Sequence, residues 1–356
     1  MAAAFALTAC DEKPNEPGTT TAVASVTSAA SRPPRPPVPT PVPTSSGPEP
    51  KAPEAPGLDE VAGAPTVTFA FAPQVETPFT VDTVRVKQRR RGSGPYGGRE
   101  VLRTVKKVTV TRSDEGYRWR AEPVSFTVHG ERTSRVDELV AGFEVSYLLD
   151  PSGNVLGVEG YDGLDARANK TLSPHNVKRV GPMLTAEALQ RTRASEWRDR
   201  MGDLVGRTVS LAEPFVSVSE VPLPKGSATV YGVVRFGPWL QCPALGRCLR
   251  VEGYQHTSPE ALAALAKVPL ETIRAAGEDE DDHDESEPHD HDHGGESKNP
   301  KGAAIAMGIH SQRIVDPTTS MAVWERIERE IDLGMAQLSD ATTRSYDYPA
   351  AAAEPK

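Results

Sequence analysis

Four histidines, His283, His289, His291 and His293, stand among carboxylates in the tract GEDEDDHDESEPHDHDHGGE. Imidazole nitrogen suits borderline divalent ions, and a His-x-His-x-His run in an extended segment can bring two or three rings to one ion, so Zn, Ni or Cu are its candidate cofactors. The same composition equally describes a solvated acidic loop inserted between two strands, which needs no ligand. A second pair with chemical potential is Cys242 and Cys248 in QCPALGRCLR, with Pro243 and Gly246 between them to turn the chain. In an oxidising compartment such a pair closes a hairpin loop as a disulfide, whereas a redox-active pair normally has the tighter C-x-x-C spacing.

Positive charge is also concentrated. Arg85, Lys87, Arg89, Arg90 and Arg91 precede a glycine-rich loop, and Arg99, Arg103, Lys106 and Lys107 follow it, so both arms of one hairpin are basic. Arg85, Lys87, Arg89, Arg90, Arg91, Lys106 and Lys107 are the candidate contacts for an anionic lipid or glycan surface. The alternatives are an edge hairpin on which lysine and arginine discourage sheet-to-sheet pairing, and an internal partner in the acidic tract. The loop RGSGPYGG matches Gly-x-Gly-x-x-Gly in letters only, because Pro95 interrupts it and a strand follows where a dinucleotide site needs a helix. No H-E-x-x-H, G-x-S-x-G or P-loop occurs in the chain. An unrecognised hydrolase remains the rival class, since a catalytic triad is set by geometry and not by chain order.

The third cysteine sets the address. Residues 2–9 form a short apolar run ending in Leu7-Thr8-Ala9-Cys10, which resembles the lipobox at which bacterial lipoproteins are cleaved and acylated. Cys10 is then the lipid anchor, and 1–9 a truncated signal peptide whose missing cationic start points to a start further upstream. Residues 10–64 follow as a tether rich in Pro, Thr and Ser, with too little apolar surface to offset its ordering entropy. This address makes the membrane a partner through the anchor, gives the cysteine pair its oxidising compartment, and leaves nucleic acid an unsuitable partner. The net charge of −9 owes much to the acidic tract and says little about partners.

The elements that must position these residues are mostly strands. Alternating apolar residues mark TVTFAFA, FTVDTVRVKQ, VLRTVKKVTVTR, PVSFTVHG and GFEVSYLLD as antiparallel β structure, with turns at 113–116 and 150–154. Leu184, Ala188, Trp197, Met201 and Leu204 follow a helical period, with Thr185 as N-cap and Gly206 as stop, and a second short helix starts at Ser258-Pro259. Strands resume after the first helix, and the last run, MAVWERIEREIDL, reads as half of a hairpin. The expected fold class is mainly β with some α: an antiparallel sheet, curved or two-part, with one covering amphipathic helix. The folded region is expected at 65–338, in halves 65–162 and 207–338 joined by helix 184–205, with a disordered insertion at 277–300 and a disordered tail at 339–356.

The YLLDPSGNVLGVEGY hairpin, the Trp197 helix and the terminal IVDPTTSMAVWERIE hairpin resemble an uncharacterised family of bacterial envelope lipoproteins that carries a domain of unknown function. The resemblance covers 66–333 and implies a lipid-anchored, non-catalytic binding or structural module. It implies nothing about the ligand.

Overall fold

The computed structural model describes residues 48–349, apart from 92–93, 95, 131–134, 202–203, 223–226, 279–305 and 333–335. The domain is mainly β, as the alternation predicts. Its first half contains β1 (Glu60–Val61), β2 (Thr66–Thr68), β3 (Phe79–Arg91), β4 (Gly97–Ser113), β5 (Gly116–Gly130), β6 (Val145–Leu149) and β7 (Val155–Gly160). Its second half contains β8 (Thr208–Ser210), β9 (Phe215–Pro222), β10 (Ser227–Cys242), β11 (Gly246–His256), β12 (Ala306–Asp316), β13 (Met321–Asp332) and β14 (Ala336–Asp347). The helices are α1 (Arg135–Ala141), α2 (Leu164–Thr171), α3 (Pro174–Val180), α4 (Ala186–Met201), α5 (Pro259–Ala266) and α6 (Leu270–Glu278).

Twelve strands form one antiparallel sheet in the order β1-β10-β11-β12-β13-β14-β3-β4-β5-β6-β7, with β9 also on β10, while β2 and β8 pair separately. The two halves of the chain meet where β14 pairs β3, from Asp347 opposite Thr80 to Ala336 opposite Arg91. This corrects the expected disordered tail: 336–347 is an interior strand, with Tyr346 buried in it and Tyr348 buried just beyond it. The strand escapes apolar alternation because four residues that share one face, Asp340, Thr342, Arg344 and Tyr346, are polar. The tether is also shorter than expected. Trp324 Nε1 donates to Pro53 O at 3.1 Å and Trp239 Nε1 to Ala64 O at 3.0 Å, so 48–64 lies along the sheet.

The sheet is strongly curved. One core cluster unites Trp119 of β5, Val108 and Val110 of β4, Phe79 of β3, Tyr346 of β14, Met321 of β13, and Leu249 and Val251 of β11. In a flat sheet β5 and β11 would lie roughly 29 Å apart at about 4.8 Å per strand. Side chains bridge that span only if right-handed twist accumulates until the sheet curls on itself. Phe69 and Phe71, expected in a strand, instead run beyond β2 into the same core, where Phe71 packs edge-on to Tyr117 and Trp197.

Helix α4 begins as its sequence indicates, with Thr185 Oγ1 accepting from Ala188 N at 3.1 Å. Its buried face differs from the expected apolar stripe: Arg193, Glu196, Trp197 and Arg200, at i, i+3, i+4 and i+7, point under the sheet. Trp197 donates from Nε1 to Gly153 O at 3.0 Å and packs on Trp119 and Tyr147. Gly153 has φ +85°, and a Cβ there would lie 2.6 Å from the Phe71 ring, so the turn and the helix seat require glycine together. The remaining helices extend the expected single cover. Helices α1 and α2 close over Leu139, Val145, Tyr161 and Leu164, and α5 and α6 cover Val233 with Leu262, Ala266 and Ile273.

Because β14 joins the halves, deleting residues 336–356 is expected to abolish cooperative thermal unfolding measured by circular dichroism. A melt matching the full chain would show that the halves hold together without this strand.

Candidate functional site

Period-two alternation turns Thr83 and Arg85 of β3, Thr104 and Lys106 of β4, and Thr342 and Arg344 of β14 toward the concave face of the sheet. With Tyr147, Trp119 and the buried face of α4 they bound a cavity of about 180 Å³. Basic side chains outnumber carboxylates in its wall: Arg85, Lys106, Arg193, Arg200, Arg329 and Arg344 against Asp137 and Glu196. A smaller cavity of about 70 Å³ adjoins it and shares Arg200, Ile327 and Arg329.

Most of these charges are matched. Arg85 Nε donates to Asp340 at 2.9 Å, and Lys87 Nζ to Asp137 at 2.6 Å. Arg193 pairs with Glu196 and donates to the Tyr161 hydroxyl at 2.9 Å. Glu325 of β13, wholly buried, accepts from Arg344 and from the Tyr346 hydroxyl, the latter at 2.8 Å, and lies 3.4 Å from Arg200 Nε. Arg200 is surrounded by aromatic faces, with its guanidinium carbon 5.1–5.7 Å from the ring centroids of Tyr346, Trp197 and Trp119. Cation–π contact strengthens in such a desolvated setting. Burial alone pushes the Glu325 carboxyl up, but the charges of Arg200 and Arg344 outweigh it and hold the group down at about 2. Glu196 is likewise held at about 2, with burial opposed by Arg193, Arg85 and Arg344.

Lys106 and Arg329 are the exceptions: neither has a hydrogen-bond or ion-pair partner among the described residues. Lys106 is the half-buried amine of the two. Its ammonium is lowered from 10.5 to about 7, first by burial and then by the charges of Arg193 and Arg344, with Glu196 only partly opposing them. At neutral pH this amine therefore stands near its titration point inside a cation-rich wall.

The basic residues singled out in the sequence do not share one outer surface. Arg85, Lys87 and Lys106 serve the interior, and Lys107 lies exposed on the opposite face. Arg89 is exposed, Arg90 pairs with Gln337 and sits 5.0 Å over the Tyr96 ring, and the Arg91 side chain lies outside the described residues. Sequence reading missed α4's contribution because it followed apolar residues. The spacing R-x-x-E-W-x-x-R carries the signal once charges are read at helical period.

A larger depression of about 1280 Å³ lies on the outer face beside Lys107. Its charges already answer one another through Arg118–Glu159, Arg120–Glu144 and Arg120–Glu122, so it is the weaker candidate. Cys242 and Cys248 are joined, with Cα atoms 5.9 Å apart, and close the β10–β11 hairpin. Both are fully buried with Leu240, Ile314 and Trp324, an environment that shields a structural bridge from thiol exchange. Cys10 and the histidines His283, His289, His291 and His293 lie outside the described residues. Among the described residues no group of three or more His, Cys, Asp or Glu is placed to hold a metal ion.

These features define the class: a mainly β domain in which a curled antiparallel sheet and one helix enclose a cation-rich cavity. No family model and no curated protein match the chain. Among solved structures it is matched to DynF from the dynemicin biosynthesis pathway of Micromonospora chersina, at 9% identity over 83% of this chain and 91% of that one. The TM-score of 0.18 is too low for that likeness to bear on fold or function.

Two stability outcomes follow from the charges. Replacing Glu325 by Gln leaves two buried guanidinium groups without their carboxylate and is expected to cost about 3–5 kcal/mol in denaturant unfolding. In wild type this carboxylate's contribution is present above about pH 4.5 and is lost as pH falls through about 2, because its folded value lies below its unfolded one. Lys106 has the opposite consequence. Its folded value lies below 10.5, so the unfolded chain binds more protons between about pH 7 and 10.5, and stability rises with pH across that window. Lys106→Met should flatten that rise and raise the melting temperature most at and below pH 7. An unchanged pH profile in the variant would contradict the assignment.

Proposed function

We propose that this chain is a lipid-anchored protein of the cell envelope whose folded domain is a non-catalytic binding module, with its ligand held in the cavity between α4 and the concave sheet. The observation that carries the reading is a cavity between α4 and the concave sheet walled by mostly ion-paired side chains, with Lys106 unmatched among the described residues. A purely structural module gains little from a half-buried amine that faces other cations without a carboxylate of its own. A binding module gains a basic group already positioned beside an apolar wall.

The anchor is supported by the Leu7–Cys10 motif and by the proline-rich stretch that separates it from the first packed residues near Pro53. Such a tether would let the cavity face the periplasm or the cell surface while the acyl chains stay in the membrane. In the native host, Cys10→Ser is expected to move the protein from the membrane to the soluble fraction and to remove acyl labelling. Continued membrane partition of the variant would overturn the anchor. Native mass spectrometry of the protein isolated from its host tests the binding reading, and a retained small molecule is the expected result.

A further inference from the structure

The ion pairs around the cavity leave positive charge over. Arg85 is taken by Asp340, Lys87 by Asp137 and Arg193 by Glu196, while the single carboxylate of Glu325 serves both Arg200 and Arg344. Lys106 has no partner among the described residues, and it shares the wall with Arg193 and Arg344. Three cations therefore face one small space with less than their complement of anions. Neutral donors stand beside them in Thr83, Thr104 and Thr342.

The geometry points to a small organic oxyanion, a carboxylate or phosphate group on a compact apolar body, as the ligand of this cavity, seated against Lys106, Arg193 and Arg344. This assignment rests on the binding reading above. Guanidinium and ammonium groups recognise both kinds of oxyanion through charge-assisted hydrogen bonds. Val81, Val108, Trp119 and Val140 supply the apolar remainder of the wall. A volume near 180 Å³ suits a short acid better than a long acyl chain.

Binding must couple to the proton on Lys106. The charged and titratable groups that share the wall with that amine are Arg193, Glu196 and Arg200 of α4, Arg344 and Tyr346 of β14, Arg329 of β13, Arg85 of β3 with its partner Asp340, Tyr147 of β6 and Asp137 of α1. Glu196 stays ionised far below neutrality, and Tyr147 is raised to about 12 by burial, so neither titrates near pH 7. An anion that selects the ammonium form therefore binds best below about pH 7, and its affinity falls as much as about tenfold per pH unit once the amine is neutral.

Calorimetric titration of the full chain with sodium hexanoate, inorganic phosphate and hexanamide tests the assignment. At pH 6.5 hexanoate or phosphate should bind at one site, hexanamide at least about tenfold more weakly than hexanoate. Binding of hexanoate alone would assign a carboxylate and of phosphate alone a phosphoryl group. Lys106→Met, checked for an intact thermal melt, should weaken the bound anion by about tenfold or more and remove the decline in affinity between pH 7 and pH 9. Equal binding of hexanamide and hexanoate, or an anion affinity indifferent to Lys106→Met, would overturn the oxyanion while leaving a binding module. So would a neutral or cationic molecule retained by the host-isolated protein. No binding of any probe, together with no retained molecule, would overturn both readings.

Discussion

One buried carboxylate holds the architecture together. Glu325, in the middle of β13, takes Arg344 from the neighbouring strand β14 and stands 3.4 Å from Arg200 on α4, so a single side chain ties the sheet to the helix inside its curve. Two guanidinium groups and a carboxylate are costly to desolvate, and their attraction recovers that cost only with close geometry and further hydrogen bonds. Tyr346 supplies one such bond to Glu325, and aromatic rings on three sides of Arg200 supply the rest of its surroundings. Replacing this set by apolar residues would satisfy stability alone. Its presence ties the core to a polar space, and that space is the cavity.

The curl of the sheet makes the cavity possible. Strands that would be far apart in a flat sheet converge on Trp119, Trp197 and Met321, and where the facing side chains are long and charged they stop short of filling the interior. Arg85 is held by Asp340 behind the wall, and Asp137, itself part of the wall, is held by Lys87. Close approach is managed elsewhere by glycine. At Gly232 and Gly253 a Cβ would come within 2.7 Å and 2.6 Å of Ser217 and Ser311, so the sheet can tighten there without a clash.

In the proposed binding reading, such a cavity selects its ligand by charge. Cations already held by carboxylates lose little freedom on meeting an anion, and an amine lowered to about 7 can take up a proton as the anion arrives. The cost in stability and the gain in recognition then reside in the same side chain. The buried disulfide and the two helices over β10 and β11 lie away from this space and serve to hold the far end of the sheet.

The sequence by itself determined the strands whose side chains alternate between a dry core and water. Val108 and Val110, Trp119 and Ala121, and the hairpin closed by Cys242 and Cys248 are legible because local period, turn residues and burial agree there. It also determined the caps at Thr185 and Ser258, since a hydroxyl before a helix acts on its own neighbours. Only the tertiary structure decided that β14 is an interior strand, because its inward residues Asp340, Thr342, Arg344 and Tyr346 are polar and find partners far away in the chain. The same holds for Lys106 and Lys107: adjacent and alike in sequence, they lie on opposite faces of the sheet, one in a desolvated cavity and one in water. Local patterns report which residues avoid water. They carry little record of charges buried against one another where the partners are distant in the chain, as Arg200 and Glu325 are.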